Sequence, residues 1–210
     1  NTENGEGPKT IEDFFDTEKF PGKRGLRKRP QVNMEWALLA DGVAPEEVYE
    51  VLATEEGQAQ AFAKLDTIKD EITWYDSWSQ APVLLNDGGA TMVQSANGRI
   101  FAAIKDDGAP FEIVWDSHIY DLDVWAIMKG TEKKEEAMEF IKFATGTVPL
   151  SGMQDVAYGP TRASAQALLP EEVKKDLPTA HLDEGVKADG IFWADYGETL
   201  GEKFNEWLLQ

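Results

Sequence analysis

The sequence predicts an α/β fold, because short apolar runs of strand length alternate with segments whose apolar residues recur at helical spacing. A second observation is that no apolar run approaches the roughly 20 residues that a membrane-spanning helix needs. The third is size, since 210 residues, 42% of them hydrophobic, suffice for one large domain or two modest ones. Together these features indicate a soluble chain with a packed core between helices and a sheet.

Helix-start and helix-stop signals place the first elements. Thr10 and Asp13 resemble a capping box, which predicts a short helix through Phe15. Pro45 suits the first position of a later helix, and Gly42 suits the end of the one before it. The predicted order is a strand at 26–29, then helices at 32–41, from 45 onward, and at 55–68.

The rest of the chain is predicted in the same way. The run 124–128 has the length and composition of a strand, and the apolar residues of 132–144 share one helical face. Other predicted strands are 72–75, 90–94 and 111–114, and other predicted helices are 97–105 and an amphipathic 198–209.

The charge balance excludes some partners. The chain has 39 Asp and Glu residues against 20 Lys and Arg residues, a formal charge of −19. A chain with this much negative charge repels phosphate backbones and anionic lipids. We therefore expect no nucleic-acid partner. The acidity is read first as a solvated surface, with an acidic docking module for a basic partner as the alternative.

Catalytic and metal-binding patterns are missing from the sequence. There is no cysteine, no phosphate-binding loop and no nucleophile elbow, and His118 and His181 stand far apart. We therefore expect no metal, no cofactor and no enzymatic activity. The less favoured alternative is a glycosidase that uses two carboxylates, for which so acidic a chain offers many candidates.

Tryptophan is abundant, with seven residues, and several lie beside acidic residues at predicted element ends. In α/β folds, ligands bind at the carboxyl ends of strands, where aromatic walls suit cationic or polyol solutes. Trp78 and Trp193, in loop-like positions, are the candidates for such walls. Core packing is the alternative for each of them.

Several stretches together resemble a known family from about Pro8 to Leu209. They are DFFDTEKFPGKRGLRKRP, ALLADGVAPEEVYEVLATEEG, NGRIFAA, YDLDVWAIMKGTEKKEEAMEFIKFA, AYGP and FWADYGETL. This combination is similar to the family 1 extracellular solute-binding proteins of bacterial ABC transporters, within the spermidine/putrescine-binding branch.

The resemblance implies a periplasmic-binding-protein-like (type II) two-lobe fold with one lobe incomplete. Residues 1–116 would be the second α/β lobe, and 117–210 the returning, mostly helical part of the first lobe. The chain would correspond to the C-terminal two-thirds of the family, which predicts self-association through the incomplete lobe. The implied location is the periplasm, although the first residues do not read as a signal peptide. The implied partners are a small amine-bearing solute, which is a polyamine or a related amino-acid or opine-like compound, and an ABC permease in the inner membrane.

Binding residues follow from the resemblance position by position. Asp123 matches the residue that binds an amine, Tyr158 precedes a Gly-Pro turn, and Trp193 lies near the last helix. Ser77 and Trp78 fall in a loop after a strand, and Asn97 and Arg99 are further cleft candidates. Where polyamine receptors are acidic, this chain has the basic segment that begins at Arg27. A carboxylate-bearing solute, such as an amino-acid derivative or an opine-like compound, therefore suits Arg27 or Arg99 better than a polyamine.

Overall fold

The computed structural model describes residues 1–210 except for the side chain of Asn4. Contacts divide the chain into two compact units. Unit 1 comprises Asn1–Ile119 and Asp183–Gln210, and unit 2 comprises Tyr120–Leu182.

Three parallel strands form the main sheet of unit 1. They are β1 (Arg24–Arg27), β2 (Ile72–Tyr75) and β3 (Met92–Val93), in the order β2-β1-β3. Arg27 pairs with Tyr75, and Gly25 pairs with Val93. The predicted strand 72–75 is confirmed, while those at 26–29 and 90–94 are confirmed with shifted ends.

The predicted helices of unit 1 before residue 119 begin and end close to the predicted residues, whereas the last helix begins at Gly190 and not at 198. The Thr10 hydroxyl accepts a hydrogen bond from the Asp13 N–H at 3.3 Å, as the capping pattern requires. The helices before residue 119 are α1 (Ile11–Phe15), α2 (Asn33–Ala40), α3 (Val48–Leu52), α4 (Glu55–Asp66), α5 (Gln80–Asn86) and α6 (Asn97–Asp107). Helix α5 was not predicted.

Residues 183–210 pack in unit 1. They contain β5 (Val186–Lys187), which pairs with β4 (Ile119–Tyr120), and the long helix α11 (Gly190–Leu208). The buried residues Phe192, Leu200, Phe204 and Trp207 of α11 join the main apolar core. The predicted division, with 117–210 as the returning part of the first lobe, stays a prediction. By contacts, residues 183–210 belong to unit 1, because α11 buries its apolar face against helices and strands there.

Unit 2 is mostly helical. Its helices are α7 (Lys134–Ala144), α8 (Thr147–Ser151), α9 (Ala163–Gln166) and α10 (Glu171–Lys174). Helix α7 buries none of its residues, and Phe140 and Phe143 are 53% and 69% exposed. Much of the apolar surface of unit 2 therefore faces solvent.

Two predicted strands are wrong. Neither 111–114 nor 124–128 forms a strand in the described part of the chain. Phe111 is buried with Leu85, Ile100 and Ala103 in a small second core, so its segment is an apolar loop that covers α5 and α6. Val124 and Trp125 are 82% and 58% exposed. Strand-like residues form a strand only where another backbone pairs with them, and none does so here.

A search for membrane spans among the described residues finds no helix with the length and apolarity to cross a bilayer.

Candidate functional site

The carboxyl ends of the three parallel strands form one edge of the sheet in unit 1. Arg27 is the last residue of β1, and Ser77 and Trp78 follow β2 almost directly. Asn97 and Arg99 open α6, a few residues after β3. The topology therefore brings five of the eight predicted binding residues to the edge where α/β sheets bind ligands.

Arg27 and Trp78 contact each other at this edge. The guanidinium carbon of Arg27 lies 4.4 Å from the centroid of the Trp78 ring, which is a cation–π distance. The Nε–H of Arg27 also donates to the carbonyl oxygen of Asp76 at 3.0 Å. These two contacts fix the plane of the guanidinium before any ligand arrives.

The terminal nitrogens of Arg27 have no hydrogen-bond partner among the residues that the structure describes, and no salt bridge there includes this side chain. Partial burial and repulsion from Arg29 lower the pKa of Arg27, but an arginine remains charged at any physiological pH. A fixed guanidinium with unpaired terminal N–H groups is suited to two parallel hydrogen bonds with a carboxylate.

A buried polar network lies directly behind Arg27. Asn33 and Gln94 are each 1% exposed, and Gln94 Nε2 donates to Asn33 Oδ1 at 2.9 Å. Gln94 Oε1 accepts from the Arg27 N–H at 3.1 Å, and Asn33 Nδ2 donates to the Arg27 carbonyl at 2.8 Å. Neither amide was predicted from the sequence. Their only sequence signal is a polar residue next to a strand end, which many surface loops share.

The other predicted residues at this edge are also polar. The Ser77 hydroxyl is 2.9 Å from that of Ser79, and the Ser77 N–H donates to Gln80 Oε1 at 2.8 Å. Asn97 is half-buried and Arg99 is exposed, both in the first turn of α6. The free N–H groups of a helix start add a positive potential at this edge.

Trp193 lies elsewhere in unit 1, in the first turns of α11. Its indole N–H donates to Glu35 Oε1 at 2.9 Å, and Tyr49 donates to the same oxygen at 3.1 Å. The second oxygen of Glu35 is buried without a hydrogen-bond partner among the described residues. Burial raises the pKa of Glu35 to about 7, against the effect of these hydrogen bonds. The indole N–H of Trp193 thus already has a partner within the protein, and its predicted role in ligand binding stays a prediction.

The last two predicted residues belong to unit 2. Asp123 is exposed, in the segment between β4 and α7. Tyr158 is 45% exposed and follows Ala157, which has a left-handed backbone with φ of 60°. Their proposed ligand contacts therefore remain predictions from the resemblance. No group of three or more His, Asp or Glu side chains in the described residues could hold a metal ion.

Comparison with protein-family models and curated proteins gives clear matches. A model described as bacterial extracellular solute-binding protein matches residues 2–179. The gamma-aminobutyric acid-binding protein of Pseudomonas aeruginosa is 44% identical over 206 residues, which cover 97% of this chain and 58% of that protein.

Solved structures give similar matches. A structure described as a GABA receptor is 32% identical, with a TM-score of 0.80, and the match covers 96% of this chain and 62% of that one. The periplasmic binding protein MotA from Agrobacterium tumefaciens B6, in complex with glucopine, is 32% identical, with a TM-score of 0.85 and coverage of 96% and 64%. AgtB from A. tumefaciens R10, in complex with agropinic acid, is 30% identical, with a TM-score of 0.83 and coverage of 100% and 65%.

These matches confirm the predicted α/β type II periplasmic-binding-protein fold with one lobe incomplete. This chain spans 58% of the curated relative and 62–65% of the three solved structures. The relatives are binding proteins and not enzymes.

Proposed function

Since this chain belongs to the bacterial extracellular solute-binding protein family, we propose that it is the binding component of an ABC uptake transporter. Its solute is a small amino-acid-like compound that carries a carboxylate and an amine. It works in the periplasm and delivers the solute to a permease in the inner membrane. The resemblance to the spermidine/putrescine branch supports the transport role, while the residues at the sheet edge favour a carboxylate over a polyamine.

The observation that carries the proposal is the guanidinium of Arg27. It is held over Trp78 and by the Asp76 carbonyl, and its terminal nitrogens remain available to a ligand. Partial burial and the neighbouring Arg29 disfavour the charged form of Arg27, and a bound carboxylate would favour it. A polyamine would instead bring positive charge toward Arg27.

The names of the relatives support the same class of solute. They include a gamma-aminobutyric acid-binding protein, a GABA receptor, and binding proteins in complex with glucopine and agropinic acid. γ-Aminobutyrate is an ω-amino acid, with a carboxylate and an amine at its two ends. We therefore propose γ-aminobutyrate or a close ω-amino acid as the solute, with an opine as the second candidate.

The test is a thermal-shift screen of this chain with γ-aminobutyrate, agropinic acid, putrescine and glucose. A ligand that binds only the folded state raises the melting temperature, because it stabilises that state by RT ln(1+[L]/Kd). We expect a shift with one of the two carboxylate-bearing compounds and none with putrescine or glucose. A shift with putrescine alone, or with none of the four, would contradict the proposal for this chain.

The role of Arg27 is tested by isothermal titration of Arg27→Ala with the compound that binds. Loss of a hydrogen-bonded charge pair with the ligand costs about 2–5 kcal/mol, so affinity should fall at least thirtyfold. Arg29→Ala is the matched control, since Arg29 belongs to the same basic segment but is exposed. Equal losses in the two variants would mean that only the general positive potential matters.

Asp123 in unit 2 is proposed separately as a contact for the amine. Asp123→Asn should weaken binding of γ-aminobutyrate and leave binding of a carboxylate without an amine, such as butyrate, unchanged. Parallel titrations of both compounds measure this difference. An equal effect on the two compounds would remove the amine-binding role from Asp123.

A further inference from the structure

We propose that Gln94 and Asn33 are positioning residues, which hold the backbone of Arg27 so that its guanidinium reaches the ligand over Trp78. The identity of the ligand rests on the proposed function, whereas the geometry at the end of β1 does not depend on it. It extends the site from the residues that would touch the solute to the buried amides behind them.

The geometry of the strand ends shows what Gln94 does. In a parallel ladder, one residue donates to the neighbouring strand and accepts from the residue two positions further along that strand. The N–H of Gln94 donates to Gly25 at 2.8 Å, so its own carbonyl would be the regular acceptor for Arg27. Instead, the side-chain Oε1 of Gln94 accepts from the Arg27 N–H at 3.1 Å, and the hydroxyl of Tyr75 donates to the Gln94 carbonyl. The side chain of Gln94 thus replaces its backbone in the ladder.

This replacement has a consequence for the site. The Gln94 carbonyl does not have to pair with Arg27. The chain after β3 therefore leaves the sheet at once and reaches Asn97, where α6 begins. The Arg27 N–H nevertheless stays paired, which a buried backbone donor requires. One amide therefore both completes the end of β1 and lets the β3–α6 connection line the same edge.

Asn33 holds the other side of Arg27. Its Nδ2 donates to the carbonyls of Arg27 and Arg29 at 2.8 and 2.7 Å, and its Oδ1 accepts from Gln94. Both amide hydrogens and the oxygen of Asn33 are thereby used, although the residue is only 1% exposed. Fully paired buried amides fix one backbone geometry, whereas a broken network leaves buried polar groups unpaired. The N–H and the C=O of Arg27 are both held by this pair.

The test compares Gln94→Met with Gln58→Met in this chain. Gln58 is the matched control, because it is also buried in unit 1 and its amide is also paired, with the Leu52 carbonyl at 3.1 Å and Lys203 Nζ at 2.7 Å. Both variants should lower the melting temperature. Only Gln94→Met should weaken binding of γ-aminobutyrate, by at least tenfold.

A spectroscopic readout keeps the test independent of the ligand. In each background, the near-ultraviolet circular dichroism of Trp78 is obtained by subtracting the spectrum of the same protein with Trp78→Phe. We expect Gln94→Met to change this Trp78 signal toward that of Arg27→Ala, and Gln58→Met to leave it as in the wild type. An unchanged Trp78 signal in Gln94→Met would overturn the positioning role and leave Gln94 a plain stabilising residue.

Two further results separate the possible failures. If no solute binds to the wild type but the Trp78 signal responds to Gln94→Met, the positioning role stands and the proposed function fails. If Gln94→Met does not fold, Asn33→Ala takes its place, because it removes the bonds to the Arg27 and Arg29 carbonyls and leaves the bond from the Arg27 N–H to Gln94 Oε1 available. The same change in the Trp78 signal is expected, and an unchanged signal again overturns the proposal.

Discussion

Two amphipathic helices, one in each unit, have different surroundings. Helix α11 of unit 1 buries Phe204 to 1% exposure, among the rings of Phe62, Trp74 and Trp207. Helix α7 of unit 2 leaves Phe143 at 69% exposure. In the sequence the two helices look alike, because each has apolar residues at helical spacing.

The difference teaches that an apolar helical face predicts a helix but not its burial. Burial depends on whether a partner surface exists within the same chain. Unit 1 supplies strands, α2 and α4 as partners for α11, since their buried residues share one core. The relatives are longer than this chain, so part of the fold that they share has no counterpart among these 210 residues. Most of the large apolar side chains that are exposed lie in unit 2.

The largest expected effect comes from a matched pair of phenylalanine substitutions. Phe204→Ala should lower the free energy of unfolding by about 3–5 kcal/mol, because it leaves a cavity among buried rings. Phe143→Ala should change it by less than about 0.5 kcal/mol, because that ring is already largely in water. Urea denaturation of both variants measures the difference. Similar losses for the two would show that α7 is covered in solution and would remove the contrast between the units.

The second prediction concerns Glu35 of α2, whose carboxylate accepts hydrogen bonds from Tyr49 of α3 and Trp193 of α11 in the core of unit 1. Burial raises the pKa of Glu35 from the ordinary 4.5 to about 7. Tyr49, the titratable group that donates to it, has a raised pKa and stays protonated. Between pH 4.5 and 7 the folded state therefore binds more protons at Glu35 than the unfolded chain does. Stability consequently falls as pH rises through this window, and the loss is complete above about pH 7.

The size of this loss follows from the two pKa values. A change from 4.5 to about 7 corresponds to about 3 kcal/mol, at ~1.4 kcal/mol for each pH unit. Glu35→Gln should abolish this part of the pH dependence, while Glu50→Gln, on the exposed surface of α3, should leave it unchanged. Urea denaturation at pH 5, 6, 7 and 8 gives the four free energies. A wild-type slope that survives in Glu35→Gln would assign the pH dependence to other groups.

The elements that could be predicted differ from those that could not in how local their sequence signals are. The capping signal of Thr10 and the apolar spacing of α4 and α7 are local, so these helices were predicted. The runs 111–114 and 124–128 have strand composition, but pairing is a long-range property that one segment does not reveal. Helix α5 has only seven residues and contains a proline, Pro82, in its first turn, so its helical spacing is too short to predict it.

The candidate site was predictable in part. The resemblance selected Trp78 and Ser77, and the basic segment selected Arg27, but no pattern joined Arg27 to Trp78. Their contact depends on β1 and β2 being neighbours in the sheet. The amides of Asn33 and Gln94 could not be selected either, because a buried amide and an exposed one look the same in a sequence. Long-range packing therefore decides which polar residues serve the site.

The smallest expected effect concerns self-association through unit 2. Exposed apolar side chains favour contacts between copies, whereas the formal charge of −19 opposes them. Salt screens the repulsion but not the apolar attraction, so association of this chain should increase between low and physiological ionic strength. Phe143→Ser should raise the dissociation constant about tenfold, or ~1.4 kcal/mol.

The control is Ile191→Ser in unit 1, an apolar residue that is 77% exposed and isolated at the start of α11. Sedimentation velocity across a concentration series measures both variants. A chain that stays monomeric at all concentrations would mean that repulsion prevails over the apolar surface of unit 2.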